Sequence, residues 1–157
     1  MNDSKSYTIK KLVTDAIFSV LLLIMGMFKI PSFLPDTEFQ LSAPFAVSIA
    51  KNCGFKRYLM IGIVASISGF LLGVQNILNI AVAMIYRVVV GVLLVMFKNS
   101  KIALVVSGPC GTLVSRIVLA LILHTNMQLL IIYAVPGMIF TAVTAPVFIK
   151  LEERIIH

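Results

Sequence analysis

The 157-residue chain has few charged residues, because Asp, Glu, Lys and Arg together make up only 12% of it. An average soluble globular protein carries about a quarter of its residues as charges and about half as apolar side chains. Here 60% of the residues are hydrophobic and the mean hydropathy is +1.07. The composition therefore indicates an all-α membrane protein, with residues 1–157 forming a single integral membrane domain and no room for an ATPase or catalytic domain.

Motifs that carry enzymatic or metal chemistry are also missing. The sequence has no paired carboxylate motif, no His and Cys cluster, no Gly-x-Ser-x-Gly and no Gly-x-x-x-x-Gly-Lys phosphate loop. Its two cysteines, Cys53 and Cys110, lie in or beside apolar stretches without metal-ligand spacing, which predicts free, buried thiols. We therefore expect a protein that is not an enzyme and that holds no catalytic residue, metal or cofactor.

Six apolar stretches separated by short polar breaks predict a bundle of six transmembrane helices, since about 20 apolar residues span a bilayer. The predicted spans lie near residues 12–28, 41–54, 58–74, 77–97, 102–123 and 127–149. The second span is short, because 14 residues make roughly 21 Å of helix against a bilayer core of about 30 Å. It is expected to be thinly inserted, tilted into the protein, or extended through Phe39.

Basic residues predict the orientation of the bundle. Lys29 alone lies in a loop on one side of the bundle. The other side carries ten basic residues, namely Lys5, Lys10, Lys11, Lys51, Lys56, Arg57, Lys98, Lys101, Lys150 and Arg154. Because Lys and Arg accumulate in cytoplasmic loops, both termini are predicted to be cytoplasmic, in a multi-pass protein of the cell membrane. The net charge of +7 is therefore interpreted as a topology signal, and no nucleic acid partner is expected.

The only long outer loop, residues 29–40, contains two prolines that stiffen it and block a helix. It could lie over the outer mouth of the bundle as a lid, or be an ordinary connector. Gly108-Pro109-Cys110-Gly111 in the fifth span and Pro136-Gly137 in the sixth predict kinks or broken turns.

Small residues recur at every fourth position on two spans. Ala65, Gly69 and Gly73 do so on the third span, and Ala46 and Ala50 on the second. Small side chains let helix backbones approach closely where lipid offers no hydrophobic driving force. These faces are predicted to be helix contacts, and contact within this chain is more common than contact with another protein.

Two arginines lie inside predicted spans, where a charge costs at least about 2.5 kcal/mol. Arg87 is ten residues, or roughly 15 Å, from the outer end of the fourth span, and Arg116 is seven residues, or roughly 10 Å, from that of the fifth. Both could face an outward-opening pocket and bind carboxylate or phosphate. The alternative is that they bond to helix carbonyls or to Gln and Asn side chains, or extend to an interface.

Polar side chains collect around these arginines in the predicted outer half of the bundle, where Gln75 and Gln128 also lie. Convergent polar groups in an apolar bundle are typical of a small-molecule pocket. The predicted substrate-binding residues, besides the arginines, are Glu38, Gln40, Asn76, Asn79, His124 and Asn126. For His124 a surface position is the competing interpretation. Asp15 lies at the other end, where solvation at the helix end or a contact with Lys11 explains it.

The whole chain resembles the substrate-binding S component of energy-coupling factor transporters. Six spans, cytoplasmic termini and the Pro-rich first outer loop before a short second span carry the resemblance. The supporting segments are Ile30-Pro31 through Ala43-Pro44, the small-residue helix from Ile61 to Gly69, and Val135-Pro136-Gly137 leading to the basic tail at 150–154. The resemblance implies capture of a vitamin, a vitamin precursor or an amino-acid-like solute, with the first loop as a lid.

The resemblance also implies partners, namely a transmembrane T component driven by two cytoplasmic ATPases. Family members commonly meet the T component through Ala-x-x-x-Ala on the first helix. This chain offers Ala16 and Ser19, with Val20 at the fourth position, so the docking surface is expected there or at the face of Ala46 and Ala50. The rival interpretation is a scaffolding membrane protein of envelope assembly, with arginines buried in helix contacts.

Overall fold

The computed structural model describes the backbone of residues 2–31, 38–98 and 100–156, and the side chains of residues 9–28, 41–98, 100 and 102–154. Within these residues the chain forms six α-helices and one short antiparallel strand pair. The elements are α1 (Asn2–Met27), β1 (Lys29–Pro31), β2 (Glu38–Gln40), α2 (Ser42–Cys53), α3 (Phe55–Leu71), α4 (Ile77–Met96), α5 (Lys101–Leu123) and α6 (Met127–Ile156). The predicted all-helical class and the number of helices are therefore confirmed.

Three of the helices, α4, α5 and α6, are long and apolar enough to cross a membrane. The outer surface agrees with this, because large apolar side chains such as Leu71, Ile102 and Val143 are exposed on it at 78%, 77% and 68%. A water-soluble protein rarely exposes so much contiguous apolar surface. The chain is a membrane protein, whereas the number of passes stays a prediction.

Helix α2 lies at the centre of the bundle, and this accounts for its shortness. It packs against the other five helices, and every residue from Pro44 to Ala50 is buried. The Phe45 ring stacks edge-on against Phe18 of α1 and Phe148 of α6, with both centroid distances 6.0 Å. A helix of 12 residues surrounded by protein does not have to match the thickness of lipid, so of the three expectations, tilting into protein fits best.

The first loop and the predicted breaks in the fifth and sixth spans both differ from what the sequence predicts. The first loop begins and ends in the pair β1 and β2, in which Ile30 lies opposite Phe39, and neither strand was predicted. Residues 32–37, the middle part of the predicted lid at 29–40, lie outside the described residues. The predicted broken turns are wrong, because α5 and α6 continue as helices through Pro109 and Pro136.

Polar contacts tie the helices together at the end of the bundle where α2 ends and α3 begins. The Arg57 guanidinium donates to the Asp15 carboxylate with Nη2 to Oδ1 at 2.5 Å, so Asp15 has a partner on α3. Buried Glu152 of α6 accepts a hydrogen bond from the Ser48 hydroxyl and another from Asn52 at 3.1 Å. These contacts fix α1 against α3 and α2 against α6 at this end of the bundle.

Small residues carry part of the helix packing, as predicted. Ala65 and Gly69 of α3 are buried, as are Ala46 and Ala50 of α2. Gly73 is an exception, because α3 ends at Leu71 and Gly73 adopts a positive φ of 69° in the turn that follows. The faces are therefore contacts within this chain up to Gly69. Both cysteines are free and half-buried.

Candidate functional site: a cavity lined by two arginines

A cavity of about 390 Å³ lies between five of the helices, toward the end of the bundle where α1 ends and α4 begins. Its size falls within the roughly 300–1,000 Å³ of small-molecule sites. The wall combines α1, α2, α3, α4, α5 and the turn before α4, whereas α6 does not contribute to it. Its lining residues are Leu22, Leu23, Gly26, Met27, Ser42, Ala43, Ala46, Ala65, Val74, Gln75, Asn79, Val82, Ala83, Tyr86, Arg87, Thr112, Ser115, Arg116 and Leu119.

Arg87 reaches the cavity from α4 and rests on α3. Its Nη1 donates to the Ser66 hydroxyl at 2.7 Å and contacts the Met84 sulfur at 3.5 Å. The side chain crosses α3 at Gly62, where an added Cβ would stand 2.4 Å from Arg87 Cδ. Only a glycine leaves that path open. Gly62 and Ser66 therefore orient the guanidinium, and most of its five N–H donors stay available to a ligand.

Arg116 lines the same cavity from α5 and is partly buried. Among the described residues it has neither a hydrogen bond nor an ion pair, which distinguishes it from Arg57 at the opposite end. A desolvated guanidinium without a partner is costly, and a bound anion would offset that cost. The pocket interpretation of both arginines thus agrees with their positions, and their role in binding stays a prediction.

The remaining charges and hydroxyls define what the cavity can hold. No Asp, Glu or Lys is among the described residues of its wall. The hydroxyls of Thr112 and Ser115 donate to carbonyls of their own helix, at 3.1 and 2.9 Å, and that of Tyr86 donates to Ala43 at 3.0 Å. Among the residues whose side chains are described, positive charge is therefore concentrated in the wall without a compensating carboxylate, which favours an anionic ligand.

The other predicted site residues are spread more widely. Asn79 lines the cavity, but Asn76 caps α4, where its Oδ1 accepts from the Asn79 N–H at 2.7 Å. His124 ends α5 with a φ of 50°, and the Asn126 Oδ1 accepts from the Gln128 N–H at 3.1 Å in the turn before α6. These three residues are exposed and do not line the cavity, because each of them shapes a helix end.

Glu38 and Gln40 belong to strand β2, and their side chains lie outside the described residues. Their predicted part in binding therefore has no structural description, and they stay predictions on the sequence alone.

The predicted docking residues are less accessible than expected. Ser19, Ala46 and Ala50 are only 4%, 3% and 4% exposed. Ala46 and Ala50 are buried because α2 is surrounded by the other helices, and the buried Ser19 hydroxyl donates to the Asp15 carbonyl of its own helix. Ala46 lies in the cavity wall instead. Ala16 alone among the four is exposed. In this conformation the face of Ala46 and Ala50 serves internal packing and is not open to another protein.

Sequence reasoning missed several residues that build the site. Gly62 and Ser66 orient Arg87, and Tyr86, Thr112 and Ser115 line the wall. Spacing offered one signal, since Thr112 and Ser115 precede Arg116 by four residues and one. Ser66 and Gly62 gave no such signal, because their role depends on which helix faces α4.

Fold and cavity together define a helical membrane protein with a cavity of about 390 Å³ lined by two arginines. No family model matches the chain. It is similar to protein BioX of Lysinibacillus sphaericus, with 45% identity over 140 residues that cover 89% of this chain and 84% of the relative. The chain therefore belongs to the same family as BioX.

Proposed function

We propose that the chain is the substrate-binding membrane subunit of an uptake system for a small anionic micronutrient. The observation that carries this proposal is the convergence of Arg87 and Arg116 on one cavity of about 390 Å³. Vitamins, vitamin precursors and amino-acid-like solutes fit such a volume. A carboxylate on the solute would pair with a guanidinium through two parallel hydrogen bonds.

The scaffold hypothesis explains the arginines less well. Arginines that hold helices together are expected to bond to carbonyls or to carboxylates of neighbouring helices, as Arg57 does with Asp15. Arg87 instead bonds to one hydroxyl and one sulfur, and Arg116 has no hydrogen-bonding partner among the described side chains. Membrane helices tolerate such charges where they line a functional cavity.

The name of the relative BioX suggests a link to biotin, so biotin is the first solute to test. Biotin carries one carboxylate on an aliphatic chain, which suits a wall that is apolar between its polar groups. The energy for uptake would come from a T component and two cytoplasmic ATPases. In this proposal six helices span the cell membrane, both termini are cytoplasmic and the cavity opens outward, as the distribution of Lys and Arg favours.

Uptake of labelled solute tests the proposal. Cells that express the chain with a T component and two ATPases are expected to accumulate labelled biotin, or another labelled carboxylate vitamin, well above cells that lack the chain. The matched control replaces Arg87 and Arg116 by Gln in the same assembly. Accumulation that is equal with and without the chain, for every solute of the panel, would contradict the proposal.

A further inference from the structure

The guanidinium of Arg87 keeps two of its nitrogens open to the cavity. Nη1 donates to the Ser66 hydroxyl at 2.7 Å, whereas Nε and Nη2 form no hydrogen bond among the described residues. The side-chain nitrogen and oxygen atoms that are both enclosed and without a partner in the described part of the chain are Tyr58 Oη, Gln75 Oε1 and Ser107 Oγ. Nε and Nη2 are not among these atoms, so they remain accessible. Together they form one edge of the guanidinium, which matches the two oxygens of a carboxylate.

Arg116 presents a second cation to the same cavity. None of its guanidinium nitrogens has a hydrogen-bond partner among the described residues, and none belongs to the enclosed atoms named above. The side chain is only half-buried. The wall therefore holds two guanidinia with open donors, and no Asp or Glu lies among its described residues.

The two guanidinia reach the cavity from different walls. Arg87 is held on α3 by Gly62 and Ser66, whereas Arg116 extends from α5. Helix α4 packs against both α3 and α5, while α3 and α5 share no extended contact among the described residues. Helices that do not pack together lie farther apart than the roughly 8–10 Å between the axes of packed neighbours. A single compact anionic group is therefore poorly placed to pair with both arginines at once.

We infer that the cavity selects an elongated solute with two carboxylates, one paired with Arg87 and the other with Arg116. This inference rests on the proposed function and names its substrate class. Two like charges in an apolar surrounding repel each other, and each of them needs a counter-charge. A dicarboxylate supplies both counter-charges. A monocarboxylate such as biotin leaves one guanidinium unpaired and is expected to bind more weakly.

Matched pairs of straight-chain probes test the inference on the unaltered chain. Each pair is an α,ω-dicarboxylate of four, six, eight or ten carbons and its monomethyl ester, which keeps the chain but carries one negative charge fewer. Binding to the purified protein in detergent at neutral pH is measured by isothermal titration calorimetry. At the chain length that spans the two guanidinia, the dicarboxylate is expected to bind at least about tenfold more tightly than its ester, because it forms a second buried charge pair.

Arginine variants assign the two carboxylates. Arg116→Gln and Arg87→Gln each remove one cation, so each variant is expected to lose the preference for the dicarboxylate. Arg116 forms no hydrogen bond to another helix among the described residues, so Arg116→Gln is expected to fold normally and suffices if Arg87→Gln does not fold. Arg154→Gln serves as the control, because Arg154 is exposed and does not line the cavity. This control is expected to keep the preference.

The outcomes distinguish this inference from the proposed function. Esters that bind the unaltered chain as tightly as the dicarboxylates at all four lengths would overturn the inference and leave the proposed function standing. Tighter binding of octyl phosphate than of every dicarboxylate would do the same, because both guanidinia would then share one compact dianion. An Arg116→Gln variant that keeps the preference would also overturn the inference. If neither these probes nor biotin binds the unaltered chain, the proposed function fails, and the inference fails with it.

Discussion

Arg87 and Arg116 illustrate how the surroundings of one residue type separate possible roles. Arg57 forms an ion pair with Asp15 and joins two helices, which is a structural role. Arg87 is 6% exposed, has a hydroxyl as its oxygen partner and points into a cavity, which suits a ligand. The sequence could identify Arg87 and Arg116 as costly, but it could not show that Asp15 pairs with Arg57 and that neither of the two has a carboxylate partner among the described residues. That depends on contacts between residues far apart in the chain.

Replacement of Arg116 by Gln removes a cation from the cavity and keeps a polar side chain. We expect the affinity for the bound anion to fall by about 2 kcal/mol or more, roughly thirtyfold in Kd, because the carboxylate loses a charged hydrogen-bond donor. Calorimetric titration of the purified variant measures this. Arg154→Gln is the matched control, since Arg154 is exposed in the last turn of α6 and does not line the cavity. Equal affinity of the two variants would remove Arg116 from the site.

His124 provides a prediction that separates binding from helix termination. It adopts a left-handed φ of 50° at the end of α5, a conformation that glycine adopts without strain. We expect His124→Gly to keep full ligand affinity and to change the free energy of unfolding by no more than about 1 kcal/mol. Thermal unfolding and ligand titration measure the two effects. A loss of ligand affinity with an unchanged free energy of unfolding would show that His124 takes part in binding.

At the scale of elements, the apolar pattern predicted the helices well, and the contacts between them poorly. Hydrophobic length and polar breaks placed α4 and α5 within one residue of their ends. The central position of α2 could not be predicted, because a short apolar stretch is equally compatible with lipid and with protein around it. The cavity wall depends on which face of each helix meets its neighbours. For this reason Ser66 and Gly62 were missed. Asn79 does lie in the wall, and its part in binding stays a prediction.

Gly62 tests whether α3 orients Arg87. A Cβ at this position would stand 2.4 Å from Arg87 Cδ and 2.6 Å from Nε, so Gly62→Ala is expected to displace the guanidinium and weaken ligand binding about as much as Arg87→Met. The double variant should bind no worse than Arg87→Met alone, since the two changes act on one interaction. Ligand titration across the four proteins measures this coupling.

The control for Gly62 is Gly137→Ala in α6, where an added Cβ meets nothing within 4 Å. This change is expected to leave binding intact and to stabilise the helix slightly. Additive losses from Gly62→Ala and Arg87→Met would show that Gly62 acts on something other than the arginine.

At the scale of the whole molecule, the proposed function requires partner proteins. If the chain is the binding subunit proposed above, transport needs a T component and ATPases that it does not itself contain. We expect the tagged chain, co-expressed with a T component and two ATPases and extracted in mild detergent, to co-purify with them in a fixed ratio. Ala16 is exposed on α1 and is therefore the one of the four predicted docking residues that another protein could contact, so Ala16→Trp is expected to reduce the yield of the complex. Isolation as a solitary protein under these conditions would favour the scaffold.

Native mass spectrometry of the purified protein tests the central claim, that the cavity binds a small anionic solute through its two arginines, most directly. We predict that the unaltered chain and the Arg154→Gln variant each retain an anionic molecule of vitamin size when isolated from cells grown in rich medium. The Arg87→Gln, Arg116→Gln double variant should retain none. An unaltered chain without a retained molecule, or a double variant that retains the same one, would contradict the account.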